Sequence, residues 1–313
     1  MTTGTAEAAF TGRPRALRML VASAGWAGCF LLLGVALRGS PPLWVATWRA
    51  LLAGTSLLAV SAGHRLLGRR RSGSGRDVRV TVAVPWPLVG VMALANVSVG
   101  LGAMATAAGG TSTGAATVLA NAQPLLVILP AWMLYGERPW RWTLPALAVG
   151  ALGLVLTADP TASLAGSAAA LLASVGLAVS TLLARRIGTA DLLTVGGWQY
   201  VVGGLLLAVT ALVVEGHPVV PLRPGPVAAL LVLSVFGTAV PLVIWLGEAR
   251  RCAVTPLAAW TLLVPVLGVA LGVVAAGERP GPVALLGYVL VLVSTVVVLV
   301  GETRTTAADR VRH

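Results

Sequence analysis

The sequence predicts an all-α membrane protein: ten transmembrane helices arranged as two inverted five-helix repeats. Three observations lead there. The chain is apolar, with 57% of its 313 residues hydrophobic, 10% charged and a mean hydropathy of +0.91; a soluble domain is about 25% charged. Stretches of about 20 apolar residues, the length that crosses roughly 30 Å of hydrocarbon, recur from Met19 to Val300. A charged tetrapeptide, Gly-Glu-Arg-Pro, stands at Gly136–Pro139 and again at Gly277–Pro280, in a chain with only 10 acidic residues.

The spans follow from the breaks between them, which Gly, Pro and Arg mark. They are Met19–Leu37, Leu43–Gly63, Trp86–Ala107, Thr113–Leu134, Trp140–Ala158, Gly166–Ala184, Thr194–Val214, Pro226–Gly247, Thr255–Ala276 and Gly281–Val300. Residues 1–18 form an N-terminal tail, 19–158 the first repeat, 166–300 the second and 301–313 a C-terminal tail. Arg13, Arg15 and Arg18 ahead of the first span resemble the start of a signal peptide, but no convincing cleavage site follows, so a retained helix is expected.

All 22 basic residues are Arg, which excludes Schiff-base lysine chemistry and a P-loop lysine. A net charge of +12 in a soluble protein would point to nucleic acid. Here the arginines sit between apolar segments and report topology instead. With the N-terminus in the cytoplasm, 18 of them fall on the cytoplasmic side, and only Arg38, Arg223 and Arg279 fall in outer loops. Both termini are therefore expected in the cytoplasm. Cys29 and Cys252 lie in or beside helices, which argues against a disulfide framework or a metal cluster. His64, His217 and His313 lie outside the spans, and no nucleophile–His–Asp set or phosphate-binding loop is present. Neither an enzyme nor a cofactor is expected.

The repeated tetrapeptide points to duplication. Glu137 and Glu278 are 141 residues apart, and the same offset carries Pro124 onto Pro265 and Gly100 onto Pro241. An offset of 150 carries Trp48-Arg49 onto Trp198-Gln199. Five spans per copy is an odd number, so the second copy enters the membrane from the opposite side, as in many secondary transporters. Locally, Gly ends one helix and Pro starts the next. A tight corner explains the motif better than a gating role for Glu137 or Glu278.

These features resemble the EamA-type members of the drug/metabolite transporter superfamily. The resemblance covers about Val21 to Val300. It rests on the two five-helix halves, on "GERPWRWTLPALAVGALGLVL" at Gly136–Leu156, on Trp48-Arg49, and on the weaker second copy "GERPGPVALLGYVLVLVSTVVVLV". It implies a carrier of small metabolites, often amino acids leaving the cell. It also implies a central cavity surrounded by spans one to four and six to nine, with the fifth and tenth outside.

Polar groups within lipid are costly and usually face the bundle interior. Arg49, about six residues below the outer end of the second span, is the most costly. It either snorkels outward or holds a substrate carboxylate or phosphate by a forked contact. Its counterpart Gln199 is uncharged. Asn121, Gln123 and Pro124 suggest a polar notch midway along the fourth span, since proline frees a carbonyl one turn earlier. Asn96 adds another amide, and Trp26, Trp245 and Trp260 suit a cavity wall. Pro124, Pro241 and Pro265 are candidate hinges. Trp44, Trp86, Trp132, Trp140 and Trp142 read as interface anchors. Gly166, Ala170, Ser174 and Ala178 read as a packing ridge. No acidic residue sits mid-span; Glu248 comes closest and reads as a salt-bridged helix end. Coupling to a proton through Glu248, or no coupling ion, is expected.

The leading expectation is a cytoplasmic-membrane carrier that exports small polar metabolites such as amino acids by alternating access, with small-molecule substrate and membrane lipid as its partners. Export of hydrophobic drugs or lipid-like compounds, and a membrane receptor that does not transport, are the alternatives.

Overall fold

The computed structural model describes residues 14–71, 84–135, 141–157, 163–188, 190–220, 223–249, 251–252, 257, 260–261 and 263–311. Among them the chain is helical and contains no strand. The helices are α1 (Ala16–Gly39), α2 (Pro42–Arg71), α3 (Trp86–Gly110), α4 (Thr113–Ala120), α5 (Gln123–Tyr135), α6 (Thr143–Thr157), α7 (Leu164–Ala184), α8 (Leu192–Val214), α9 (Pro224–Ala249), α10 (Leu263–Ala276) and α11 (Pro282–Val311). By length and apolarity α1, α2, α3, α7, α8 and α9 suffice to cross a membrane, and shorter apolar helices lie in α6, α10 and α11. The chain is a multi-pass membrane protein. The first Gly-Glu-Arg-Pro, with Glu137, and Trp140 lie outside the described residues.

The predicted fourth span is not continuous. It divides into α4 and α5 at Asn121 and Ala122, and Asn121 leaves helical geometry at φ −106°, ψ 20°. The cause is Pro124, which has no N–H to offer the Ala120 carbonyl. Pro124 therefore stands just after a break between two helices, not inside a continuous one. Asn121 closes the end of α4, its backbone N–H reaching the Thr117 and Val118 carbonyls at 3.2 and 3.3 Å. Pro265, 141 residues on, likewise stands in the first turn of α10, after a non-helical residue at Thr261. At the second Gly-Glu-Arg-Pro, Gly277 takes the left-handed φ of +68° and ends α10, as expected. The next helix starts at Pro282 and not at Pro280.

Two helices widen into π turns, α3 over Ala93–Leu101 and α9 over Val235–Ala239. The 141 offset places the second stretch at 94–98, inside the first. Such turns leave backbone carbonyls short of their usual donors and are frequent at functional sites. Each π turn receives a glycine from another helix. A Cβ on Gly25 of α1 would collide with the Phe236 carbonyl and Pro241, and one on Gly176 of α7 with the Ala95 carbonyl and Gly100. The contacted residues are again 141 apart and the glycines 151 apart. Around the glycines the chain reads Ala22-Ser23-x-Gly25-x-Ala27 and Ala173-Ser174-x-Gly176-x-Ala178. This second correspondence is visible in the sequence once α1 is laid on α7.

Packing completes the scaffold. α2 lies along α8 and α6 along α11, while α3 packs on α7 and α8, α1 on α9 and α10, and α4 on α10. Gly166, Ala170, Ser174 and Ala178 are all buried in α7, as a packing ridge requires. Trp86, Trp132 and Trp142 are exposed, as anchors should be. Trp44 is not an anchor: it is buried, with its indole N–H on the Gly216 carbonyl at 3.2 Å.

Candidate substrate site

A cavity of about 80 Å³ opens between α1, α2, α3, α4, α7, α8 and α9. Of the residues singled out in the sequence, Trp26, Arg49, Asn96, Asn121 and Trp245 line it. They come from α1, α2, α3, α9 and the break after α4, so the fold brings together groups spread over some two hundred residues of chain.

Arg49 is 3% exposed, which excludes snorkelling. Its Nε donates to Thr238 Oγ1 at 2.7 Å and its Nη2 to Cys29 Sγ and the Gly237 carbonyl, both at 3.3 Å. Its Nη1 reaches Met104 Sδ at 3.5 Å, a weak acceptor. The π turn of α9 makes this possible. Thr238 turns its own hydroxyl back to the Leu233 carbonyl at 2.8 Å, and the Gly237 carbonyl also takes the Cys29 thiol at 3.2 Å. Every partner is neutral. A buried guanidinium is normally offset by an acid, yet no Asp or Glu pairs with Arg49 among the described residues, and none lines the cavity.

The walls are aromatic and apolar. Trp26 and Trp245 meet edge to face, with ring centroids 5.3 Å apart and planes at 64°. Leu242, Leu246 and Met104 continue that surface. Tyr200 adds a phenol beside Asn96, with Arg49 and Cys29 as its electrostatic neighbours. Tyr200, Ser180 and Met104 were not singled out from the sequence, and Gly100 was noted only as the counterpart of Pro241. Tyr200 directly follows Gln199, and Ser180 lies 151 residues after Cys29, the offset that also pairs Gly25 with Gly176.

Three expected lining residues sit elsewhere. Gln123 is fully buried, and its amide donates to Thr181 Oγ1 at 2.8 Å, because the break at Asn121 turns it toward α7. Gln199 is fully buried, and neither of its polar atoms has a partner among the described residues. Trp260 packs against the core, and its carbonyl takes the Ser23 hydroxyl at 3.0 Å. Of the proposed hinges, Pro241 and Pro265 are buried, Pro241 against Gly25.

Carboxylates occupy the helix ends. Glu248, fully buried at the end of α9, is ringed by Arg18 at 3.5 Å, Arg251 at 3.3 Å and the Arg15 backbone N–H at 3.3 Å. It is the salt-bridged end that its neighbours in sequence suggested. Asp191 caps α8 and meets Ser61, Thr194 and Arg65 of the α2–α8 pair. Burial pushes its carboxyl up, but hydrogen bonds from Thr194, Ser61, the Leu193 backbone and Arg65 outweigh that and hold it below the ordinary carboxylate value.

The EamA-like transporter family matches the chain twice, over residues 14–158 and 164–300, which together span nearly all of the helices above. The chain belongs to that family. It is a membrane transporter protein. It is similar to the WAT1-related protein At3g02690, chloroplastic, of Arabidopsis thaliana, at 29% identity over 81% of this chain; it spans 61% of that relative's length. The uncharacterized transporter sll0355 of Synechocystis is 25% identical, with 86% of this chain and 84% of the relative aligned. Protein PecM of Dickeya dadantii is 25% identical over 59% of this chain and 64% of its own. A solved structure at 20% identity superposes with a TM-score of 0.68 over 92% of this chain and 97% of its own, which shows a shared fold.

Proposed function

We propose that this EamA-family transporter is a secondary carrier that exports small carboxylate-bearing metabolites, such as amino acids, across the cytoplasmic membrane. It works by alternating access between two inverted five-helix halves. The observation that carries this reading is Arg49: a cation buried at a cavity wall among neutral acceptors. A buried charge of this kind is stabilised when an anion arrives, and a transporter substrate is the anion that comes and goes.

The geometry refines the contact. With one hydrogen per acceptor, Thr238, Cys29 and Gly237 take up the Nε and Nη2 donors, and Nη1 keeps a free hydrogen beside its weak thioether contact. The carboxylate is therefore met end-on at Nη1, not by a fork. The inverted arrangement is supported by the two family matches, the paired π turns and the paired glycine contacts.

The test is uptake of labelled amino acids into proteoliposomes. Loss of a charge-assisted contact of about 1.5–3 kcal/mol corresponds to roughly 10- to 150-fold in affinity. Arg49→Gln should show that loss. Arg49→Lys, which keeps the charge but cannot reproduce the donors to Thr238 and Gly237 together, should lose less. Wild-type transport by Arg49→Gln at matched protein level would remove Arg49 from the site.

A further inference from the structure

The break between α4 and α5 reaches the same cavity as Arg49, with Ala120 and Asn121 both in its lining. Pro124 denies the Ala120 carbonyl its helical donor, and carbonyls at the end of a helix carry partial negative charge. Asn121 turns its amide nitrogen away, to the Thr117 carbonyl at 2.7 Å, which leaves its side-chain oxygen as an acceptor. The cavity thus holds a cationic group on α2 and a cluster of acceptors on α4.

The other half of the chain shows what this arrangement lacks. There, Ser23 of α1 donates its hydroxyl to the Trp260 carbonyl, just before the break that precedes α10. The counterpart of Trp260 at the 141 offset is Leu119, and the counterpart of Ser23 at the 151 offset is Ser174. Ser174 is fully buried, and its hydroxyl has no partner among the described residues. One break takes a serine hydroxyl on its carbonyl; at the other the Leu119 carbonyl takes the Ala122 backbone N–H at 3.3 Å, and among the described residues no serine reaches the break where Ala120 and Asn121 meet the cavity.

We infer that the α4–α5 break is a subsite for a substrate ammonium, held by the Ala120 carbonyl and the Asn121 side-chain oxygen while Arg49 holds the carboxylate. It rests on the reading of Arg49 as the carboxylate anchor and narrows the substrate class to zwitterionic α-amino acids. Charge argues the same way. A simple amine would bring a second positive charge beside Arg49 with no acid in the cavity, whereas a zwitterion supplies one charge of each sign to a site that offers one cation and one set of carbonyl dipoles. Trp26 and Trp245 receive an apolar side chain.

Equilibrium binding to the purified full-length protein tests this with three probes of one skeleton: leucine, 4-methylpentanoate, which lacks the amino group, and 3-methylbutylamine, which lacks the carboxylate. Wild type should prefer leucine over 4-methylpentanoate by about tenfold or more and should bind the amine worst. Pro124→Ala restores an N–H for the Ala120 carbonyl, so it should weaken leucine about tenfold and leave 4-methylpentanoate unchanged. Asn121→Leu, which removes the second acceptor, should shift the preference the same way and stands in if Pro124→Ala cannot be purified. Arg49→Gln should weaken both carboxylates alike. Equal binding of leucine and 4-methylpentanoate by wild type, or an intact leucine preference in both break variants, would overturn the ammonium subsite. No effect of Arg49→Gln on either carboxylate would instead overturn the carboxylate anchor, whatever the break variants do. Failure of wild type to bind leucine would overturn both.

Discussion

Gln199 is fully buried, and neither its amide nitrogen nor its oxygen has a partner among the described residues. An unmet buried polar group costs about 1–3 kcal/mol. Its counterpart in the first half is Arg49, which is bonded through Nε and Nη2, keeps a hydrogen of Nη1 free and lines the cavity. In the alternating-access reading, Gln199 keeps its amide for the opposite-facing state. Gln199→Leu, close in size and without polar atoms, should raise thermal stability in detergent by roughly 1–3 kcal/mol, leave leucine affinity unchanged and slow transport. Greater stability with wild-type transport would reduce Gln199 to a packing residue. The contrast shows what single residues disclose. Arg49 was legible because a charge inside an apolar run must be explained. Tyr200 and Ser180 are ordinary residues in apolar helices, and nothing about either alone says that it faces the cavity. Gln123 misled for a related reason: an amide beside a proline is conspicuous, but its partner, Thr181, lies 58 residues away.

The α2–α8 pair is tied at both ends by carboxylates acting on helix termini. Glu215, just past α8, accepts the Leu43 and Trp44 backbone N–H groups at 2.9 and 3.0 Å, which offsets the positive end of the α2 dipole. At the other end Asp191 caps α8 and gathers Ser61 and Arg65 from α2. Because the net effect lowers the Asp191 carboxyl below its ordinary value of about 3.9, its contribution is complete above that value. It is lost as pH falls through the lower folded-state value. Melting temperatures followed from about pH 6 down to about pH 3 should therefore drop less steeply for Asp191→Asn than for wild type, and the two should converge at the acid end. Parallel curves would show that the cap is held without its charge. Asp191 and Glu215 stand beside the apolar run of α8 in the sequence. That Glu215 serves another helix was not visible there, because its target is 171 to 172 residues away in the chain.

At the scale of the molecule, the all-helical, multi-pass character was legible because lipid is a strict solvent: only long apolar helices satisfy their backbone within it. The helices break where that rule relaxes, at the proline-flanked Asn121 and in the π turns, and hydropathy has no term for these because the residues remain apolar. The orientation of the bundle rests on arginine alone. Reversing it would place 18 arginines outside and leave three inside, against the positive-inside rule. A single cysteine placed at Arg71, in a background without Cys29 and Cys252, should resist a membrane-impermeant thiol reagent in intact cells and react once the cells are opened. One placed at His217, an exposed residue in the segment between α8 and α9, should react in intact cells. These two sites flank α2 and α8, which the proposed inverted repeat would make antiparallel counterparts, so the pair of results tests more than one loop. Labelling at Arg71 and protection at His217 would turn the whole molecule over. Labelling at both, or protection at both, would put the two positions on the same side of the membrane and would remove the inverted repeat itself, and with it the argument that Gln199 stands where Arg49 does.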